Sequence, residues 1–197
     1  WRGGPHGAFV AAGGSCRGLG SFGRAPKSLD AVVITHEPAD HVGGLPRLAK
    51  ELKLPIYLTR LTASSIEWPG DFQPPVELFQ SGATLTIGDI EIDSFTIPHD
   101  AIDPVGFCIR AQGIKFGIAT DLGYVTDSIR FHLRRADLLL LESNHDLDML
   151  KVGPYPWSVK QRVMSRVGHL SNDRAGDFIL RDLEWSAGQL VRGHWGG

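Results

Sequence analysis

Two stretches of period-two patterning fold back on themselves, and they constrain the architecture more than any other feature of the chain. Ala83-Thr-Leu-Thr-Ile87 and Ile90-Glu-Ile-Asp-Ser-Phe-Thr-Ile97 alternate across Gly88-Asp89. Val105-Gly-Phe-Cys-Ile-Arg-Ala111 and Ile114-Lys-Phe-Gly-Ile-Ala119 repeat this across Gln112-Gly113. Such alternation buries one face of each strand, and a two-residue turn containing glycine joins antiparallel neighbours. Around the hairpins lie short apolar runs that read as buried strands: Leu29-Asp-Ala-Val-Val-Ile-Thr35, Pro55-Ile-Tyr-Leu-Thr59, Leu138 to Leu141 and Gln189-Leu-Val-Arg192. Helices are predicted over 45–52, with Pro46 in the first turn, over 124–135 and 157–167, and over 173–184 with Ser171 or Asn172 as cap. Residues 68–82, rich in proline and glycine, read as loop.

Hairpins mixed with strand–helix alternation predict sheets covered by helices, an α/β layered domain over 28–197. Residues 1–27 read as a glycine-rich irregular segment, in which Gly7-Ala-Phe-Val-Ala-Ala-Gly13 is either a strand or irregular chain. No apolar run nears the ~18 residues of a spanning helix, so no membrane partner is expected. Two cysteines, Cys16 and Cys108, make no disulfide framework. With no signal-peptide pattern, they point to a cytoplasmic setting. A net charge of −2 excludes a global attraction to nucleic acid, though not a local basic patch.

Without a Cys-x-x-Cys pair, any metal must be held by imidazole and carboxylate. The chain has eight histidines. His36, His41, His99 and His169 fall just after a predicted strand or helix, and His145 and His194 follow the last two strands. Loops at such places converge over a sheet edge and carry sites. The densest segment is Thr35-His36-Glu37-Pro38-Ala39-Asp40-His41, between a buried strand and Gly43-Gly44. It aims several oxygen and nitrogen donors at one point, a set that suits Zn²⁺ in the absence of thiolate.

This segment resembles the metallo-β-lactamase signature His-x-His-x-Asp-His. Pro98-His99-Asp100-Ala101 with Pro104-Val-Gly-Phe107 resembles the family's third metal motif, and Ala119-Thr-Asp121-Leu-Gly123 its bridging-aspartate motif. Leu141-Glu-Ser-Asn-His145-Asp146 and Gly168-His169-Leu-Ser-Asn172 narrow the resemblance to the YycJ/WalJ-like branch. That branch consists of metal-dependent hydrolases regarded as DNA exonucleases. The match runs from about residue 28 to residue 193. It implies a metallo-β-lactamase-like αββα sandwich, expected here to be incomplete at both termini.

The resemblance also implies ligands. His36 and His99 would serve one divalent metal, Zn or Mn. Asp40 and His41 would serve a second, Asp121 would bridge them, and His194 is the candidate for the last ligand. A hydroxide held by the metals would attack a phosphodiester. Asp40, His145 and His169 are the catalytic candidates: His145 protonates the leaving group, oriented by Asp146 or Glu142, and His169 meets the scissile phosphate or supports the site. Pro38 stands where the family has its second histidine, so the expected stoichiometry is one or two metals per chain.

Two alternatives accompany the exonuclease reading. One keeps the fold and metals but hydrolyses a small ester, thioester or lactam. The other is a catalytically impaired protein, because of Pro38. On the substrate side, Lys151, Lys160, Arg162 and Arg166 with Tyr155 and Trp157 read either as a nucleic-acid-binding stretch or as a solvated helix face with aromatics in the core. Arg130, Arg134 and Arg135 near His132 read as surface charge.

Overall fold

The computed structural model describes residues 8–11, 29–37, 45–183 and 189–193. The chain divides into two compact units, one comprising 1–92 with 101–104 and the other 93–100 with 105–197.

In the first unit, β1 (Ala8–Ala11), β2 (Ala31–Ile34), β3 (Ile56–Thr59) and β4 (Val76–Phe79) form a parallel sheet in that order. Of the two readings of Gly7–Gly13, the strand is the one found. Parallel neighbours need a crossover. Helix α1 (Leu45–Leu52) lies between β2 and β3 in the chain, and α2 (Arg60–Ser65) between β3 and β4. Val32, Ile34, Leu45, Ala49, Ile56 and Leu58 make the buried core. β4 corrects the expectation of loop over 68–82. Only Phe79 of its four residues is buried, so it shows no alternation to read; backbone pairing to β3 forms it. The first predicted hairpin is present as β5 (Thr84–Ile87) and β6 (Ile90–Thr96), with Gly88 at a φ of 62° in the turn.

In the second unit, β7 (Val105–Ala111) and β8 (Ile114–Ala119) are antiparallel. Their turn has Gln112 at φ 52° and Gly113 at φ 75°, the two left-handed residues that a tight hairpin requires. β9 (Leu138–Glu142) pairs parallel with β8, and β10 (Gln189–Gly193) parallel with β9. Among the strands with residues in this unit, the sheet order is β10-β9-β8-β7-β6. Its helices are α3 (Asp127–Leu133), α4 (Leu147–Val152), α5 (Trp157–Val163) and α6 (Asn172–Arg181). Ile129 and Leu133 of α3 join Phe95, Cys108, Leu139 and Leu141 in the core, as do Ala175 and Phe178 of α6.

Helix ends follow local chemistry. Thr126 caps α3 by accepting from the Ile129 amide at 3.2 Å, so the helix begins later than 124. Ser171 caps α6, accepting from the Arg174 amide. α4 has no counterpart among the predicted elements. Its six residues are too few for a helical period, and its existence depends on Asp146, whose carboxylate accepts from the Asp148 and Met149 amides, both at 2.9 Å. Among the described residues no helix is long and apolar enough to cross a membrane.

Close approach decides one strand position. A methyl group on Gly106 of β7 would meet the Phe95 ring at 2.5 Å and the Ile118 carbonyl at 2.9 Å. We expect Gly106→Ala to cost about 1–3 kcal/mol, read as an earlier urea midpoint. An unchanged midpoint would mean that Phe95 has room to move.

Candidate metal centre

The site of the second unit is assembled from four loops: after β6, after β8, after β9 and before α6. At its centre is Glu142, the last residue of β9, with no exposed surface. One carboxylate oxygen lies 2.6 Å from Nδ1 of His169. The other accepts from the backbone amides of Leu122 at 2.9 Å and Leu170 at 3.0 Å. A buried carboxylate is costly unless its lone pairs are filled, and here three donors fill them.

Backbone hydrogen bonds tie the same loops to one another. The Gly123 amide donates to Pro98, Asp100 to Val167, Asn144 to Leu170, and Asn172 to His145, each at 2.9 Å. Two motif glycines allow the close contact. A methyl group on Gly123 would strike the carbonyl of Arg166, and one on Gly168 would strike those of Arg162 and Val163. Asp121 is held in the left-handed region, at φ 56°. That conformation is uncommon for a residue with a side chain, and it recurs at functional sites.

Asp121 stands between two sets of donors. The ligand atoms of Asp121, Glu142 and His169 lie within 4.8 Å of one another, as do those of His99 and Asp121. The His99 and His169 rings are 5.3 Å apart, centre to centre. His99 Nδ1 lies 3.3 Å from the Gly168 carbonyl oxygen. A bond from Nδ1–H to a backbone carbonyl is the usual outer partner of a ligating imidazole, and it assigns the ligating lone pair to Nε2.

These residues fit a divalent cation in their chemistry. Imidazole nitrogen and carboxylate oxygen are donors for Zn²⁺ or Mn²⁺. His99 and Asp121 are suited to ligate. Glu142 already accepts three hydrogen bonds, which suits it to support His169 rather than to bind the ion.

The electrostatics of the two nearby histidines diverge. The hydrogen bond to Glu142 raises the pKa of His169 above its ordinary value, against the effect of burial. Burial lowers the pKa of His145. The Nε2 of His145 is buried with no hydrogen-bond partner among the described residues, and its Nδ1 lies 3.3 Å from Asn144 Oδ1. The hydrogen bond from Arg162 holds Asp100 below the usual carboxylate range.

The other candidates are placed as follows. His36, in the first unit, is fully buried just beyond β2, with Nδ1 2.9 Å from the Thr35 hydroxyl. Neighbouring Glu37 accepts from the Ile102 amide at 2.8 Å. Pro38, Asp40, His41 and His194 lie outside the described residues. Glu142 serves His169, not His145, and Asp146 is engaged in capping α4. The Glu142–His169 pair was missed from sequence. Its one signal was an acidic residue closing a run of leucines bound for the core.

The basic stretch needs a correction. Lys160 is buried, and its Nζ donates to the carbonyls of Lys151 and Gly153, both at 2.7 Å. A lysine spent on two carbonyls cannot face phosphate. Arg162 pairs with Asp100, Lys151 with Asp148, and the Arg166 guanidinium lies 4.3 Å from the Tyr124 ring centre. Tyr155 and Trp157 are exposed, so the alternative that buried them in the core does not hold.

Comparison with known proteins places this geometry. The family described as the β-lactamase superfamily domain matches residues 19–195. Exodeoxyribonuclease WalJ of Streptococcus pneumoniae is 36% identical over 180 residues, covering 89% of this chain and 67% of WalJ. Exodeoxyribonuclease YycJ of Bacillus anthracis is 38% identical over 149 residues, covering 75% of this chain and 56% of YycJ. The chain thus spans about two thirds of one relative and little more than half of the other. The crystal structure of the metallo-β-lactamase fold protein YhfI from Bacillus subtilis matches with a TM-score of 0.69 at 23% identity, over 95% of this chain and 75% of YhfI. The expected α/β metallo-β-lactamase-like fold is borne out.

The Glu142–His169 bond carries a pH prediction. In metal-free protein, NMR titration should place His169 above 6.5 and His145 below it. Glu142→Gln should bring His169 down. Because the folded pKa of His169 is raised, its pairing stabilises the fold fully below the unfolded pKa, and that stability is lost as pH rises through the folded pKa. Titration of His169 at or below 6.5 in the unaltered protein would contradict the pairing.

Proposed function

The chain belongs to the β-lactamase superfamily, in its WalJ/YycJ-like branch, and on that premise we propose that the cluster around Glu142 is the hydrolytic centre of a metal-dependent nuclease that shortens DNA from an end. The observation that carries this reading is the buried Glu142 carboxylate holding His169 beside Asp121. A small-ester or lactam hydrolase has no comparable support, since the two relatives compared above are named as exodeoxyribonucleases.

The proposed ligands are those of the motifs: His36, Asp40, His41, His99, Asp121 and His194. A bound divalent cation supplies a water of lowered pKa and polarises a phosphoryl oxygen. The protein's own groups do the rest. Glu142 keeps the proton on Nδ1 of His169 and fixes the ring, so Nε2 is the nitrogen that meets the scissile phosphate. Orientation by a buried carboxylate prepares an imidazole before substrate arrives, which lowers the cost of reaching the transition state. His145 is proposed to hand a proton to the leaving oxygen, for which its ring must first be protonated, a form that its burial disfavours. Arg162 is largely exposed and sits beside the Asp100 carboxylate next to His99, where it can meet a phosphate.

Zinc- or manganese-loaded protein should shorten an end-labelled single strand stepwise, and chelation should abolish this. Asp121→Asn and His169→Ala should each lower kcat about 100-fold or more. Failure of the loaded protein to bind metal or to cut any strand would overturn the reading.

Pro38 favours a second reading, a weak or impaired catalyst, because a site short of one ligand holds metal poorly. Elemental analysis of Pro38→His beside the unaltered protein separates the two. A gain of about one metal per chain, with a rise in hydrolysis, supports the local lesion. Equal content and equal rates would show that proline costs the site nothing.

A further inference from the structure

Between His145 and His169 the usual arrangement of side chains is inverted. Lys160 lies inside, 8% exposed, while Trp157 is 60% and Tyr155 52% exposed. Met149 and Val152, three apart on one face of α4, are exposed as well. Lysine is among the residues least often buried, and tryptophan is highly buried on average. We propose that Tyr155 and Trp157 form a stacking platform for the bases of single-stranded DNA running to the hydrolytic centre, an inference that rests on the nuclease reading above.

The buried lysine is what makes the platform stiff. Its ammonium donates to the carbonyls of Lys151 and Gly153 at the carboxyl end of α4, and it belongs to α5. It therefore locks the turn between the two helices from beneath. Pro154 and Pro156 stiffen the turn from within, since each fixes its own φ and restricts the residue before it to extended backbone. Pro156 has φ −54° and ψ 148°. Tyr155 lies between the two prolines and Trp157 directly follows the second. Rings on a backbone already ordered cost little to engage.

The platform is also coupled to the site. Gly168 packs against the last carbonyls of α5, and the His169 amide donates to the Val163 carbonyl at 2.9 Å. The helix that begins with Trp157 thus ends on the loop that presents His169.

Charge selects the occupant. From Met149 to Asn172 the chain has no acidic residue; Lys160 is turned inside, and the exposed cations Lys151 and Arg162 each stand beside one carboxylate from outside the segment. This segment suits a polyanion that offers flat apolar faces. Every base has such a face, so stacking tolerates any sequence. Sequence tolerance is what an enzyme moving along a strand needs.

The test is equilibrium binding of metal-loaded, full-length protein to a labelled oligothymidylate with cleavage-resistant phosphorothioate linkages, beside an abasic strand of equal length and linkage. The unaltered protein should prefer the base-bearing strand by about tenfold or more. Trp157→Ala and Tyr155→Ala should each cut that preference severalfold, and Trp157→Phe should keep most of it. Circular dichroism confirms that each variant folds. No preference in the unaltered protein would overturn the platform, as would a preference that survives both alanine variants. So would a concentration-dependent dimer lost in Trp157→Ala with strand preference unchanged, which would assign the face to a second copy. Hydrolysis of unmodified strand is scored separately. Base preference without cutting counts against the nuclease reading alone; cutting without base preference counts against the platform alone.

Discussion

One carboxylate organises the second unit. Glu142 has no exposed surface, and an unpaired charge there would cost several kcal/mol. It is tolerated because an imidazole and two backbone amides converge on it. Those donors come from the loop carrying Asp121 and the loop carrying His169. The burial requirement of one charge is thereby converted into the placement of two chemical groups. An apolar residue at position 142 could fill the same volume, yet it would leave two buried amides unpaired and the His169 ring without its anchor.

The glycines of the motifs belong to the same construction. Gly123 and Gly168 carry no chemistry, but each lies where any side chain would strike a carbonyl of residues 162–166. Their neighbours in sequence, Asp121 and His169, are the groups proposed to react or bind. The motif spacing therefore records a packing condition: the reactive residue sits one or two positions from the glycine that lets its loop approach. Hydrogen bonds from Gly123 to Pro98 and from Asp100 to Val167 extend this contact to the His99 loop.

Much of this was legible in the sequence. The hairpin at Gln112-Gly113, the buried run at Leu138–Leu141 and the cap at Ser171 are local signals, and each element formed where its pattern lies. The candidates His99, Asp121 and His169 could be named because metal ligation and acid–base chemistry restrict residue type, and the fold brings these three together. What could not be read depends on partners distant in the chain. β4 shows no burial pattern and forms by pairing with β3. The role of Glu142 depends on a histidine 27 residues away. Lys160 looked like one more cation of a basic stretch, and only the fold reveals that two carbonyls hold it inside.

The same framework bears on Pro38. In a small metal-dependent domain the ion itself assembles the ligands, so a lost ligand is a lost fold. Here His99 and Asp121 are positioned by hydrogen bonds among loops and by a buried carboxylate, none of which requires the ion. Asp121 keeps its left-handed backbone because Leu122 and Gly123, the next two residues, are tied to Glu142 and Pro98. The energy that orders this half of the site is thus drawn from folding and not from metal binding. On the reading that Pro38 costs the site a ligand, occupancy would fall while the scaffold and its glycine contacts stay intact, and a single substitution would repair it.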